Sequence, residues 1–137
     1  MPTFPELNYV AVVAAAVIYF VLGWVWYSSG VFGSAWLREL KLSPQDIKKE
    51  KMGICFLGTF LTEILAAAVL ASVIKGSFAL DAFAGANVGL LAGIGFVAPA
   101  TLASYLYEDR SVKLFFITVG YHTVALMAMG AILGGWR

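Results

Sequence analysis

Long apolar stretches, separated by short polar connections, dominate the chain. Four of them, at residues 8–27, 53–74, 82–106 and 113–133, contain very few charged side chains. Each is about 20 or more residues long, and a helix of that length spans about 30 Å, enough to cross the hydrocarbon core of a bilayer. The pattern predicts four transmembrane helices in a single domain that covers residues 1–137.

The first connection, residues 29–52, differs from the others because it is long and carries eight charged side chains. Residues 31–40 (VFGSAWLREL) are amphipathic, so we expect this segment to lie flat at the membrane interface. Ser43 and Pro44 are typical of a helix start, which predicts a short polar helix from Pro44 into the second span. The predicted fold class is an all-α membrane protein: a four-transmembrane-helix bundle with a short amphipathic or polar helical segment in the first connection.

Composition agrees with a lipid environment. The chain is 61% hydrophobic and only 12% charged, whereas a soluble domain carries about 25% charged residues. The lipid bilayer is therefore the expected partner of most of the surface. The net charge of +1 gives no field that favours nucleic acid, so we expect no nucleic-acid partner.

Lysine and arginine residues predict the orientation. Five lie in the first connection, and Arg110 and Lys113 lie near the third connection, whereas the other side has only Lys75 and Arg137. We therefore expect both termini outside and the connections at residues 29–52 and 107–112 in the cytoplasm. Aromatic residues near that interface are expected to act as anchors. These are Trp24, Trp26, Tyr27 and Trp36.

One carboxyl group, that of Glu63, lies in the middle of the second apolar stretch. A carboxyl group in hydrocarbon is costly, so it must be protonated, paired or directed into the protein interior. Glu63 follows Gly53 by ten residues, and His122 follows Lys113 by nine, which puts both roughly 13–15 Å into parallel helices. Equal depth predicts a direct Glu63–His122 hydrogen bond.

Other polar side chains are expected to join this pair. Thr59 lies one turn before Glu63 and Thr118 one turn before His122, and Tyr19 is near the middle of the first span. We predict a binding or proton site formed by Tyr19, Thr59, Glu63, Thr118 and His122. A purely structural interpretation stands beside this one, because polar pairs also hold membrane helices together, at about 1 kcal/mol or less.

The third span carries small residues at regular spacing. Gly85, Gly89 and Gly93 recur every four residues, a pattern that lets another helix approach closely. This stripe serves either the core of the bundle or contact with an identical subunit. Pro99, later in the same span, predicts a kink.

Catalytic and metal-binding patterns are lacking in the sequence. Cys55 is the single cysteine and His122 the single histidine, which excludes an intramolecular disulfide and a cysteine-based zinc site within one chain. No phosphate-binding loop or nucleophile triad is found. We therefore expect no metal and no cofactor, and we assign no catalytic residue.

Two segments resemble a known family. Leu22 to Trp36 (LGWVWYSSGVFGSAW) and residues 95–122 (GFVAPATLASYLYEDRSVKLFFITVGYH) resemble the pattern of the bacterial domain of unknown function 1761 family. That pattern contains, in order, a glycine, a tryptophan-tyrosine pair, a small polar position, a phenylalanine-glycine pair and a tryptophan. In this chain the corresponding residues are Gly23, Trp26, Tyr27, Ser28, Phe32, Gly33 and Trp36. The usual proline after the serine is replaced by Ser29. The resemblance spans nearly the whole chain and implies a small four-span integral protein of undetermined activity, in a bacterial cytoplasmic membrane.

Three functions are compatible with these features. The leading interpretation is a small homo-oligomeric transporter or permeation unit in which Glu63 and His122 bind a proton or cation. The second is a structural or accessory subunit of a larger membrane complex. The third is a membrane enzyme that acts on an apolar or quinone-like molecule, with Tyr19, Glu63 and His122 as acid–base groups.

Overall fold

Helices account for nearly all of the residues that the computed structural model describes, namely 8–28, 30–40, 52–76 and 81–136. They are α1 (Tyr9–Trp26), α2 (Gly33–Leu40), α3 (Met52–Gly76), α4 (Ala82–Ala92), a π-helical segment (Gly93–Val97), α5 (Ala98–Glu108) and α6 (Val112–Gly135). No strand occurs in these ranges.

Four of the helical stretches are long and apolar enough to cross a membrane. They are Tyr9–Trp26, Gly53–Gly76, Ala82–Glu108 and Val112–Gly135. The third is α4, the π segment and α5 in direct succession. The all-α prediction with four spans is confirmed, and α2 is the predicted helical segment of the first connection. The helix predicted from Pro44 lies outside the described residues.

Polar residues fix where three of the helices begin. Asn8, Asp81 and Ser111 precede α1, α4 and α6, and each side chain accepts a hydrogen bond from the backbone N–H three residues later, at 3.2, 2.8 and 3.1 Å. These caps satisfy amide groups that have no partner inside the helix. The Asn8 side-chain amide also donates to the carbonyl of Trp136 at 3.3 Å, so the start of α1 lies beside the end of α6.

Helix α6 is the centre of the bundle. It contacts α1, α3 and α4, and 44% of its apolar window is buried, against 11–28% for the other three spans. The contacts with α1 and α3 are made largely by small side chains, and fully buried examples are Ala11, Ala15, Ala16, Ala67 and Ala125. Small residues let the helix backbones approach closely, which is the main source of packing energy where lipid replaces water.

The glycine stripe of α4 packs against α6 of the same chain. A methyl group added at Gly85 would overlap the carbonyl of Gly130, and one at Gly89 would overlap the carbonyl of Leu126. One at Gly93 would lie 2.9 Å from the Cα atom of Thr123. Of the two roles left open by the sequence, the stripe therefore serves the bundle's own core.

A π-helical segment precedes Pro99, where the sequence predicted a kink. The N–H of Ala98 donates to the carbonyl of Gly93, five residues earlier, which is the hydrogen-bond pattern of a π helix. Pro99 follows immediately and has neither an N–H group nor room for the carbonyl four residues before it. The wider turn accommodates the proline without ending the span.

Packing is uneven at the end of the bundle where α1 finishes and α3 begins. At the end where α1 finishes, the Trp26 indole N–H donates to the Ile117 carbonyl at 3.0 Å, and Ser111 donates to the Glu39 carboxylate. These contacts hold α1, α2 and α6 together. In contrast, residues 53–59 of α3 are exposed throughout, and α5 has no buried residue, as judged from the described residues.

Replacing Gly89 with valine should destabilise the bundle by about 1–3 kcal/mol, because the added atoms overlap the α6 backbone and force the two helices apart. Gly95→Ala is the matched control in the same span, since nothing lies within 4 Å of a methyl group there. Thermal unfolding of both variants in one detergent measures the difference. Equal melting temperatures would contradict the α4–α6 contact.

Candidate functional site

Four polar side chains from three spans meet in the interior of the bundle. Tyr19 is on α1, Glu63 on α3, and Tyr121 and His122 on α6. Glu63 is only 5% exposed, and the two tyrosines are 8% and 7% exposed. These three side chains are enclosed by the apolar core, and the half-buried His122 lies at its edge. We call the four residues the Glu63 layer.

Tyr121 is the central member of this layer. Its O–H group lies 2.9 Å from the Tyr19 carbonyl oxygen and 3.3 Å from Oε1 of Glu63, and donates toward both acceptors. Gly23 makes this position possible, because a methyl group there would lie 2.6 Å from the Tyr121 hydroxyl oxygen. One phenol thus connects α6 to α1 and to α3.

A second hydrogen bond connects the Tyr19 hydroxyl to Nδ1 of His122. The phenol donates when the imidazole proton is on Nε2, which is the tautomer that leaves Nδ1 as an acceptor. The two rings are nearly perpendicular, with centroids 5.8 Å apart. This bond adds a second link between α1 and α6, one residue along from the link made by Tyr121.

The Glu63 carboxyl group has a hydrogen-bond partner at only one of its two oxygens, as judged from the described residues. Oε1 accepts from Tyr121, whereas Oε2 is buried and has no hydrogen-bond partner within the described residues. A buried acceptor without a donor costs about 1–3 kcal/mol. A proton, a cation or a polar solute at Oε2 would lower that cost. This oxygen is therefore the part of the layer best suited to bind one of these ligands.

The arrangement corrects the predicted Glu63–His122 pair. No hydrogen bond joins these two described residues, and Tyr121 occupies the position between α6 and the carboxyl group. Neighbouring residues on a helix point about 100° apart, so Tyr121 faces Glu63 and His122 turns toward Tyr19. The sequence interpretation missed Tyr121, although a tyrosine in mid-span needs a partner for its hydroxyl group.

The two threonines of the predicted cluster lie elsewhere. Thr59 is exposed, in the part of α3 where the helix leaves the packed core. The Thr118 hydroxyl is hydrogen-bonded to that of Tyr105 on α5, at 3.0 Å. Of the five predicted residues, the structure therefore brings together Tyr19, Glu63 and His122 only.

The expected interface anchors fall into two groups. Trp24 is 76% exposed, as an anchor in lipid should be. Trp26 and Tyr27 instead pack against the core, where the Tyr27 ring lies 5.4 Å from those of Tyr121 and Trp36. The aromatic residues at the end of α1 thus close the Glu63 layer on one side.

The contact between α1 and α6 explains two short sequence motifs, one at Gly23 and Trp26 and the other at Gly120 and Tyr121. A methyl group at Gly23 would meet Tyr121, and one at Gly120 would lie 3.2 Å from the Trp26 ring. Gly23 and Trp26 of α1 therefore interlock with Gly120 and Tyr121 of α6.

Comparison with known families gives a match to the model described as "Protein of unknown function (DUF1761)", over residues 10–134. No curated protein and no solved structure matches the chain.

A double-mutant cycle tests whether Tyr121, rather than His122, is the partner of Glu63. Tyr121→Phe should lower stability by about 1 kcal/mol, because two acceptors lose their donor. Combined with Glu63→Leu, its effect should be non-additive, whereas Glu63→Leu and His122→Leu should add. Tyr107→Phe, at a tyrosine that is 95% exposed, is the control and should leave the melting temperature unchanged. Stronger coupling to His122 than to Tyr121 would contradict the assignment.

Proposed function

Because the chain belongs to the DUF1761 family, whose function is unknown, its activity must be inferred from the site, and we propose that it is a small membrane transporter or permeation unit. In this proposal Glu63 binds a proton or a small cation during each cycle, and several copies of the chain assemble to form the path.

The observation that carries the proposal is the state of the Glu63 carboxyl group. It is 5% exposed, and one of its oxygens has no partner among the described residues. A carboxyl group that served only to join helices would be expected to use both oxygens, and a neutral amide or hydroxyl would do the same work at lower cost. An acid at this depth is typical of proton and ion pathways.

The hydrogen bonds around Glu63 also supply a way to couple binding to helix packing. Tyr121 shares its single proton between Glu63 and the Tyr19 carbonyl. When a proton or cation occupies Glu63, the carboxyl group becomes a weaker acceptor and the phenol shifts toward Tyr19. Occupancy at α3 would then change the balance of contacts between α6 and its two neighbours, which is the differential interaction that a two-state transporter needs.

Assembly of several copies is part of the proposal because four helices leave little room for a solute path. Apolar surface is available for subunit contacts, on residues 53–59 of α3 and along α5. Orientation follows the distribution of lysine and arginine: we infer that both termini lie outside a bacterial cytoplasmic membrane, with Glu63 reached from the cytoplasmic side through the first half of α3.

The same exposed surface favours one alternative, an accessory subunit that packs against unlike chains. The two functions differ in what co-purifies after gentle extraction. A homo-oligomer gives a native mass that is a multiple of one chain, whereas an accessory subunit gives a complex with other chains. A measurement of native mass therefore distinguishes the two functions without a transport assay.

Reconstituted protein should make liposomes permeable to protons or to a monovalent cation, and Glu63→Gln should lower that flux by about tenfold or more, because it removes the exchangeable group. The flux is measured with a pH-sensitive dye inside the vesicles, under an imposed pH gradient, with the membrane potential clamped by potassium and valinomycin.

Thr62→Val is the matched control, one residue before Glu63 on α3. Its hydroxyl group is exposed and, among the described residues, bonds to the Thr59 carbonyl of its own helix, at 2.7 Å, so the variant should conduct like the natural protein. Native mass and melting temperature of each variant exclude misfolding. The proposal fails if the natural protein leaves vesicles as tight as empty ones, or if Glu63→Gln conducts normally.

A further inference from the structure

A groove with a volume of about 170 Å³ lies between the end of α5 and the start of α6, away from the Glu63 layer. Its walls are mainly apolar and include Leu102, Leu106, Phe115 and Phe116, while Arg110 and Ser111 close one end. The volume is well below the roughly 300–1,000 Å³ of pockets for compact small molecules. A narrow apolar groove of this kind fits part of an extended hydrocarbon chain.

The groove lies at a defined depth in the membrane. Arg110 and Ser111 connect two membrane spans, so they are at the level of the lipid headgroups. The apolar walls extend from there into the hydrocarbon layer, where Leu106 and Phe116 are 73% and 66% exposed. A ligand that follows the groove therefore needs a polar end at the arginine and an apolar chain beyond it.

Arg110 is held in place at the mouth of the groove. Its Nε donates to Glu108 at 2.9 Å, and its Cζ lies 5.8 Å from the centre of the Tyr105 ring. Tyr105 is itself fixed by its hydrogen bond to Thr118. The ion pair with Glu108 uses Nε, so within the described part of the chain the two terminal amino groups of the guanidinium are available for a phosphate, which arginine binds in a bidentate manner.

The charges next to Arg110 indicate which phospholipid fits. Glu108 pairs with Arg110 at 2.9 Å, so the mouth presents a carboxylate beside a guanidinium. A purely anionic headgroup would meet that carboxylate, whereas a headgroup with both a phosphate and an ammonium group complements the two signs together.

We propose that this groove is a binding site for an aminophospholipid of the phosphatidylethanolamine type. One acyl chain lies along Leu102, Leu106 and Phe115, the phosphate binds Arg110, and the ammonium group lies near Glu108. The site would fix the end of α5, which has no buried residue of its own, against α6.

Lipid retention tests this site independently of transport. The full chain is placed in nanodiscs of equimolar phosphatidylethanolamine and phosphatidylglycerol, extracted gently, and examined by native mass spectrometry for bound lipid. Phosphatidylethanolamine should be enriched over phosphatidylglycerol. Arg110→Gln should lower the retained amount by about tenfold, as expected when a charge-assisted pair is lost.

Two further variants separate the site from a general effect of charge. Lys75→Gln removes a positive charge near the other membrane surface and should leave retention unchanged. Leu106→Trp fills the groove while keeping Arg110, and should lower retention as well. Equal retention of the two lipids by the natural protein, or normal retention by Arg110→Gln in a preparation with an unchanged melting temperature, would overturn the proposal.

Discussion

The structure depends on one constraint: a polar group inside hydrocarbon must find its partner within the protein. Apart from the buried Oε2 of Glu63 and Oγ1 of Thr123, which have no partner among the described residues, polar side chains of the spans meet it in two ways. Ser72 bonds to the Ala68 carbonyl of its own helix, which adds no contact between helices. Trp26 and Tyr121 instead bond across helices, and both bonds involve α6. The constraint therefore explains why α6 is central, and why a buried carboxyl oxygen of Glu63 without a partner among the described residues is a costly feature of the bundle.

Close approach of backbones is the second condition, and it makes these polar contacts possible. Gly23 and Gly120 let the large rings of Tyr121 and Trp26 pack across α1 and α6. On the opposite side of α6, Gly85 and Gly89 bring α4 into backbone contact. Small residues thus appear wherever a neighbouring helix or ring needs space. The exposed parts of α3 and α5 lack such contacts, and it is there that we place the surfaces for subunits and for lipid.

Sequence reasoning reached the architecture but only part of the site, for a physical reason. Hydrophobic length determines which residues can span a membrane, so the four spans and α2 could be predicted closely. Depth along a helix also follows from counting residues, which placed Glu63 and His122 in one layer. The rotation of each helix about its axis does not follow from counting. An error of one residue turns a side chain by about 100°, and for that reason Tyr121 was missed. Thr59 does share a face with Glu63, but it lies in the part of α3 that is exposed, and the extent of the packed core does not follow from counting either.

The π-helical segment has a consequence for the angular register of the third span. A row of positions spaced by four, from Gly85 through Gly93 and Val97 to Tyr105, stays at least partly buried along its length. In an uninterrupted α-helix such a row would drift by ~40° at every step and soon rotate out of contact. The wider π turn reverses part of that drift, so that Val97 still packs against the core and Tyr105 still reaches Thr118 on α6. Loss of a single residue from this turn would rotate everything after it and carry Tyr105 away from Thr118.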